Sequence, residues 1–274
     1  MEAFDFFKFV LLFQSFKYFA VVPLISIITI TYNAQNYLER TLKSIRNQTC
    51  TDFEYILIDG GSKDKTMDLV KSNNDLFTVI VSEKDNGLYD AMNKGLRNST
   101  GEYVWFMNAG DEIAESDAIE KLKILVKNQP DVIYSDTILV NNEGDFVGLR
   151  SEILPHKIPE KLTWQGYNKG MLVCHQSFIV KRTLAPKYIE NNLSADIDWE
   201  IKCLKLAKKI VAYSGILSKY LEGGTSHQQL FKSWKDRYLV LKSHFGFFPN
   251  VWNHIRIVLR ADIFNLFRIS KYLK

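Results

Sequence analysis

The stretch "LISIITITYN" at residues 24–33 decides how the rest of the chain is read. It is a β-branched, largely apolar run that gives way at once to Tyr32 and Asn33, as a buried parallel strand does at its carboxyl end. "AQNYLERTLKSIRNQ" follows, with Tyr37, Leu38, Leu42 and Ile45 at helical spacing. "FEYILIDGGSKDKT" is a second apolar strand; it stops at Asp59, turns through Gly60-Gly61, and offers Ser62 or Asp64 to cap the helix "KTMDLVKSN". "FTVIVSE" predicts a third strand ending in "EKDNG", "LYDAMNKGLRNST" a helix, and "GEYVWFM" a fourth strand. Alternation with a period of roughly 25–30 residues implies right-handed βαβ units on one mostly parallel, Rossmann-like central sheet with flanking helices, an α/β fold. Ligands of such sheets bind beyond the carboxyl ends of the strands, so Asn33, Asp59, Asp85 and Asp111 are expected on one rim.

Beyond Asp111 the pattern loosens. "DVIYSDTILV" and "GDFVGLR" predict a hairpin around "NNEG". "MLVCHQSFIV" is a further apolar segment carrying His175 and Gln176, and "ADIDWEIKCLKLAKK" an amphipathic helix opening on acids. The chain has 274 residues, 46% apolar and 24% charged, which suits an ordinary globular protein with a sizeable core. Its net charge of +4 is uneven: nine Lys or Arg against two Asp from Phe231 onward leave about −3 for the remainder. A basic tail of this kind suits an anionic surface, although a solvated helical face has the same composition. Cys50, Cys174 and Cys203 are odd in number and widely spaced, with no metal or disulfide pattern, which fits a reducing compartment.

The Phe-rich start, residues 1–22, is broken by Asp5, Lys8 and Lys17 and is too short in apolar run to cross a membrane. It also lacks the layout of a signal peptide. An interfacial membrane helix and a helix packed on the domain both fit it. The expected organisation is this segment, a core at 23–226 (23–115 for the donor, 116–226 for the acceptor), and a basic amphipathic tail at 227–274, in which Arg256, Arg260, Lys271 and Lys274 share one helical face.

The first strand is followed by no G-x-G-x-x-G and the chain holds no G-x-x-x-x-G-K-[ST], so dinucleotide and P-loop readings fail. On the rim, Tyr32 offers an aromatic face to a base, Thr31 and Asn33 offer hydrogen bonds, Asp59 an acceptor for a pyrimidine N–H, and Asp85 with Gly87 an acceptor beside a close backbone approach. Each carboxylate alone is as readily a turn or cap residue; together on one edge they read as a site.

"ISIITITYNAQNYLERTLKSIRNQT", "FEYILIDGGSKDKT", "SEKDNGLYDAMNKGL" and "GEYVWFMNAGDEI" resemble the inverting GT-A glycosyltransferases of family 2, nearest to bacterial members that build capsule, O-antigen or exopolysaccharide. The likeness is strong over about residues 24–115 and moderate to about 226. It implies a GT-A fold and transfer of a sugar from a nucleoside diphosphate, UDP by expectation, to a hydroxyl. It places Thr31, Tyr32, Asp59 and Asp85 on the nucleotide and Lys94 near the donor, where an exposed helix Lys is the competing reading. A divalent cation, Mg2+ or Mn2+, is implied at the leaving diphosphate. The lip of relatives runs Asp-Ala-Asp-Asp; here it is Asn108-Ala109-Gly110-Asp111, leaving Asp111 as the expected metal ligand and Asn108 as a partner for ribose or a metal-bound water.

The resemblance makes Asp196 the catalytic base, with Asp198 as runner-up, one of the two being only a helix cap. His175 and Gln176 match a position beside the acceptor, with a buried structural His as the competing reading, and Trp199 either stacks on an acceptor sugar or belongs to the core. The implied partners are a nucleotide-sugar donor, a saccharide acceptor that is lipid-linked or growing, and an anionic membrane at the cytoplasmic face. No nucleic-acid motif is present, and oligomeric state is not readable. A non-catalytic sugar-nucleotide-binding scaffold is the alternative raised by the thinned acidic lip. A sugar-phosphate nucleotidyltransferase is disfavoured, because "TYNAQNYL" is neither Gly-rich nor basic.

Overall fold

The computed structural model describes residues 22–154, 157–223, 229–257 and 259. The Phe-rich start up to residue 21 and the tail from residue 260, with Arg260, Lys271 and Lys274, lie outside the described residues.

The four expected strands form β1 (Ile25–Thr31), β2 (Phe53–Asp59), β3 (Val79–Ser82) and β4 (Tyr103–Phe106). They pair in parallel in the order β3-β2-β1-β4. All seven residues of β1 are buried; the helices Leu38–Arg46 and Leu88–Asn98 contribute apolar faces to the two cores that sandwich it. Burial on both faces is why the strand carries no apolar–polar alternation.

The sheet continues through β5 (Glu112–Ile113), β6 (Val132–Val140), β7 (Phe146–Leu149), β8 (Phe178–Lys181) and β9 (Ile210–Leu221). β8 joins β4 and β6 antiparallel, β9 lies parallel to β6, β5 closes the edge antiparallel to β9, and β7 forms the expected hairpin with β6. The result is a mixed sheet, parallel through β1–β4 and between β6 and β9, and antiparallel in its other pairings, where a mostly parallel sheet was expected. Two local readings change. "MLVCHQSFIV" becomes a strand only from Phe178, because His175–Ser177 turns as a 3-10 helix. "IVAYSGILSKYL", which carries no clean strand signature, is the longest strand among the described residues.

Candidate active site

Strand register assembles the rim. Thr31, Asp59 and Ser82 stand in one transverse row at the carboxyl ends of β1, β2 and β3. Asp59 is fully buried and accepts hydrogen bonds from the Gly61 and Ser62 amides and from the Ser62 and Ser82 hydroxyls. This corrects the expectation that Asp59 accepts from a base: a carboxylate with its lone pairs already used builds the turn instead. That turn is stitched to the loop after β1. The Ser62 hydroxyl takes the Asn33 amide, Asn33 Oδ1 takes the Lys63 amide, Asp64 takes the Gln35 amide, and Thr66 Oγ1 takes the Ala34 amide. The motif "DGGSKDKT" is therefore a brace that holds Tyr32, 63% exposed, with its ring free.

Asp85 closes the same rim. One oxygen accepts the Gly87 amide at 2.9 Å, and the other lies so near Gly60 that a Cβ there would sit 2.4 Å from it. Gly60 thus makes room for the Asp85 carboxylate over the end of β2. Gly87 caps the helix Leu88–Asn98. Lys94 on that helix is neither an exposed Lys nor a donor contact. It is buried, ion-paired with Glu83 at 2.9 Å and Asp90 at 3.5 Å, and donates to the Lys84 carbonyl, so its charge is already spent.

The lip after β4 is a tight turn: the Asp111 amide donates to Asn108 O, the Gly110 amide to Thr41 Oγ1, and Thr41 in turn to Asp111 O. Gly110 sits at φ +103, and a Cβ there would approach Leu221 Cδ2 to 2.8 Å. A side chain there would strain the backbone and push the Leu221 side chain aside, so glycine suits this turn. Gly110→Asp is expected to destabilise by about 1–3 kcal/mol in thermal unfolding.

Asp111 is 4% exposed, with Oδ1 accepting the Leu221 amide of β9 at 3.0 Å and the Gln176 side chain reaching it. Burial lifts its carboxyl to about 7 against those two donors. Thr31 Oγ1 and, on the same turn as Asp111, Asn108 Oδ1 are buried without a hydrogen-bond partner. Among the described residues no group of three His, Cys, Asp or Glu could hold a metal by itself. One buried carboxylate plus one unpaired amide oxygen nonetheless fits magnesium or manganese, which take few protein oxygens when phosphates complete the shell.

On the acceptor side, Asp196 lies in the first turn of the helix Ala195–Leu206. It is part-exposed; burial pushes its carboxyl up to about 6, against the Ile197 amide at 2.8 Å, the Tyr89 hydroxyl and the more distant charge of Arg150. The helix N-terminus favours the ionised form, and burial outweighs it.

Three acceptor-side expectations are corrected. Asp198 is buried, bound to His244 Nε2 at 2.8 Å and Lys202 Nζ at 2.6 Å, so it ties this helix to the helix Leu230–Phe245. Burial pushes its carboxyl up, but these two donors outweigh burial and hold it below the usual range. Asp198→Asn is expected to keep donor turnover within about threefold and to lose about 1–3 kcal/mol of stability, read by denaturant melts beside kcat. Trp199 is fully buried, stacked on Tyr188 at 4.9 Å with its indole N–H on Pro186 O; it is core, not an acceptor platform. His175 is buried against Phe106 and Trp199, with Nε2 2.7 Å from the Tyr188 hydroxyl, and burial lowers it to about 3, so it stays neutral. Gln176 is likewise buried, with its carbonyl on the Trp105 indole and its side chain toward Asp111. Both build the floor under the lip instead of contacting an acceptor.

Sequence reasoning missed Arg150, whose buried guanidinium donates to Met171 O and Leu172 O and lends positive charge to Asp196. It also missed Glu200, fully buried, accepting the Tyr167 hydroxyl and pushed well up by burial. An isolated Arg and a mid-helix Glu give no local signal.

A Glycosyl transferase family 2 model matches residues 26–188. The chain belongs to that family. Among similar proteins, a PGL/p-HBAD biosynthesis glycosyltransferase of Mycobacterium tuberculosis is 30% identical over 226 residues, covering 78% of this chain and 84% of that one. An uncharacterized glycosyltransferase of Haemophilus influenzae is 28% identical over 207 residues, covering 74% and 80%. Of solved structures, TarS of S. aureus in complex with UDP-GlcNAc matches with a TM-score of 0.64 at 19% identity, over 79% of this chain and 65% of that one. This chain therefore spans just under two thirds of that TarS chain. A mannosyltransferase of Pyrobaculum calidifontis in complex with GDP-Man and Mn2+ matches at 0.57 and 14% identity, over 93% and 82%. At these identities the structural likeness carries the GT-A-type fold, while the family match makes the chain a glycosyltransferase.

Proposed function

We propose that this family 2 glycosyltransferase moves a sugar, with inversion, from a nucleoside diphosphate, UDP by preference, to a hydroxyl of a lipid-linked or growing saccharide. The reading places it in bacterial surface-polysaccharide assembly at the cytoplasmic face of the membrane. The observation that carries it is Asp196, a part-exposed carboxylate at a helix N-terminus beside the Tyr89 hydroxyl, poised near 6 by burial. A general base works best when its pKa lies near the working pH. The donors held by the TarS and mannosyltransferase structures support a nucleotide-sugar substrate.

In the proposed reaction the acceptor O–H gives its proton to an Asp196 oxygen while its oxygen bonds to the anomeric carbon. The bond from that carbon to the diphosphate oxygen breaks on the opposite side, and the electron pair leaves with the nucleoside diphosphate. Tyr32 stacks on the base, and Thr31 Oγ1 meets a donor hydroxyl. Asp85 and the backbone at Gly87 border the nucleotide, and Asp111 with Asn108 would hold the divalent cation. That cation supplies Lewis-acid stabilisation of the charge on the leaving diphosphate.

A panel of nucleotide sugars tests this reading by release of nucleoside diphosphate with and without chelator. One donor is expected to turn over, with loss on chelation. Binding of a donor without release from any panel member, with or without acceptor lipid extract, would instead favour the scaffold.

A further inference from the structure

We propose that the outward face of the two C-terminal helices, Leu230–Phe245 and 247–257, is a docking surface for an anionic lipid bilayer. This deepens the lipid-linked-acceptor reading above. The two helices are apolar on both sides. Toward the protein Val240 and Leu241 join the core and Phe245 stacks on Trp164, with Asp236, Asn250 and Asn253 buried beside them and His244 bonded to Asp198. Toward solvent they present Phe231, Trp234, Leu239, Phe248, Trp252 and Ile255, with Phe231 86% and Phe248 82% exposed. A helix whose inward face already joins the core ordinarily turns polar residues to solvent; large aromatic and aliphatic side chains exposed on both helices mark an interaction site.

Charge selects the occupant. Residues 229–259 contain five Lys or Arg and one acid, Asp236. That acid is turned inward onto the Leu193 amide and Lys232. The bases stand among the aromatics: Lys242 lies 5.6 Å over the Phe247 ring and Arg256 5.4 Å over the Trp252 ring. Aromatic and aliphatic side chains interleaved with cations fit the headgroup boundary of anionic lipid. A second copy of the same face would bring like charges together. Among the described residues no helix is long and apolar enough to cross a membrane, so the surface lies on the bilayer. The Asp198–His244 contact ties this face to the helix bearing Asp196. Docking thus brings the base and a lipid-linked acceptor to the same boundary.

The test is cosedimentation of the full chain with phosphatidylcholine vesicles, with and without phosphatidylglycerol, in the absence of donor and acceptor. Two variants are compared, Phe231→Ser/Trp234→Ser/Phe248→Ser/Trp252→Ser and Lys235→Glu/Lys242→Glu/Arg256→Glu. The wild type is expected to bind the anionic vesicles, more weakly in high salt, and each variant to bind at least about tenfold less. Circular dichroism and donor turnover in detergent, expected unchanged, guard against misfolding. The single change Phe248→Ser, at a surface position, is expected to reduce binding in the same direction. Unaltered vesicle binding by both variants overturns the proposal, and so does a concentration-dependent dimer that the Ser variant abolishes while vesicle binding persists. Because binding is measured without substrates, its failure leaves the sugar-transfer reading standing, and lost turnover leaves the surface standing.

Discussion

Asp196→Asn is expected to abolish sugar transfer, lowering kcat by about a thousandfold or more, while the affinity for the nucleotide-sugar donor changes by less than about threefold. The expectation follows from position. Asp196 is part-exposed in the first turn of the helix Ala195–Leu206, and its oxygens are not consumed by ion pairs as those of Asp198 are. The amide retains the bond from the Ile197 N–H and nearly the same volume, so the fold persists and only proton acceptance is lost. Isothermal titration of donor beside steady-state kinetics separates the two quantities. Near-normal turnover in this variant, with Asp198→Asn inactive, would transfer the role of base to Asp198.

Asp111→Asn is expected to weaken cation-dependent donor binding by tenfold or more while making the cation-free protein more stable at alkaline pH. The sign follows from the carboxyl being lifted by burial from 3.8 to about 7. A carboxyl raised in the folded state binds its proton more tightly there than when unfolded. Folding is therefore favoured below about pH 4, and that advantage drains away as pH rises to about 7. At pH 8 the wild type carries a buried charge that its donors compensate only in part, costing roughly 2–4 kcal/mol. The asparagine removes that cost and still accepts from the Leu221 amide. Added Mg2+ or Mn2+ should reverse the order, because the cation holds the ionised carboxylate that the amide lacks. Thermal melts at pH 5 and pH 8, with chelator and with cation plus UDP, read both effects. A variant that melts lower than wild type at pH 8 in chelator, and binds donor equally well with cation, would leave Asp111 without a metal role.

The first half of the sheet was legible because each of β1 to β4 is short, apolar and ends in a polar residue where the chain leaves the core. The rim residues could be placed on one edge from that pattern alone. Their individual roles could not. Whether Asp59 faces a ligand depends on Ser82, which arrives from β3 only through strand register. Whether Asp198 is free depends on His244, 46 residues away. Trp199 and His175 sit in motifs shared with acceptor-side positions, but packing with Tyr188 and Phe106 puts them in the core. β9 escaped notice because Gly215, Ser218 and Lys219 interrupt its apolar run, although its Leu221 amide is what holds Asp111 in place. Local pattern thus marked where the chemistry gathers, and long-range contacts decided which side chains remain available for it.

The pH dependence of kcat, measured at saturating donor and acceptor, tests the central assignment most directly. With Asp196 as the base, kcat falls about tenfold per pH unit below an apparent pKa near 6, because only the ionised carboxylate accepts the acceptor's proton. The plateau lies above that value, and the donor KM should not follow the same limb. A kcat that stays flat from about pH 5 to 8, with the protein folded throughout, would contradict the account.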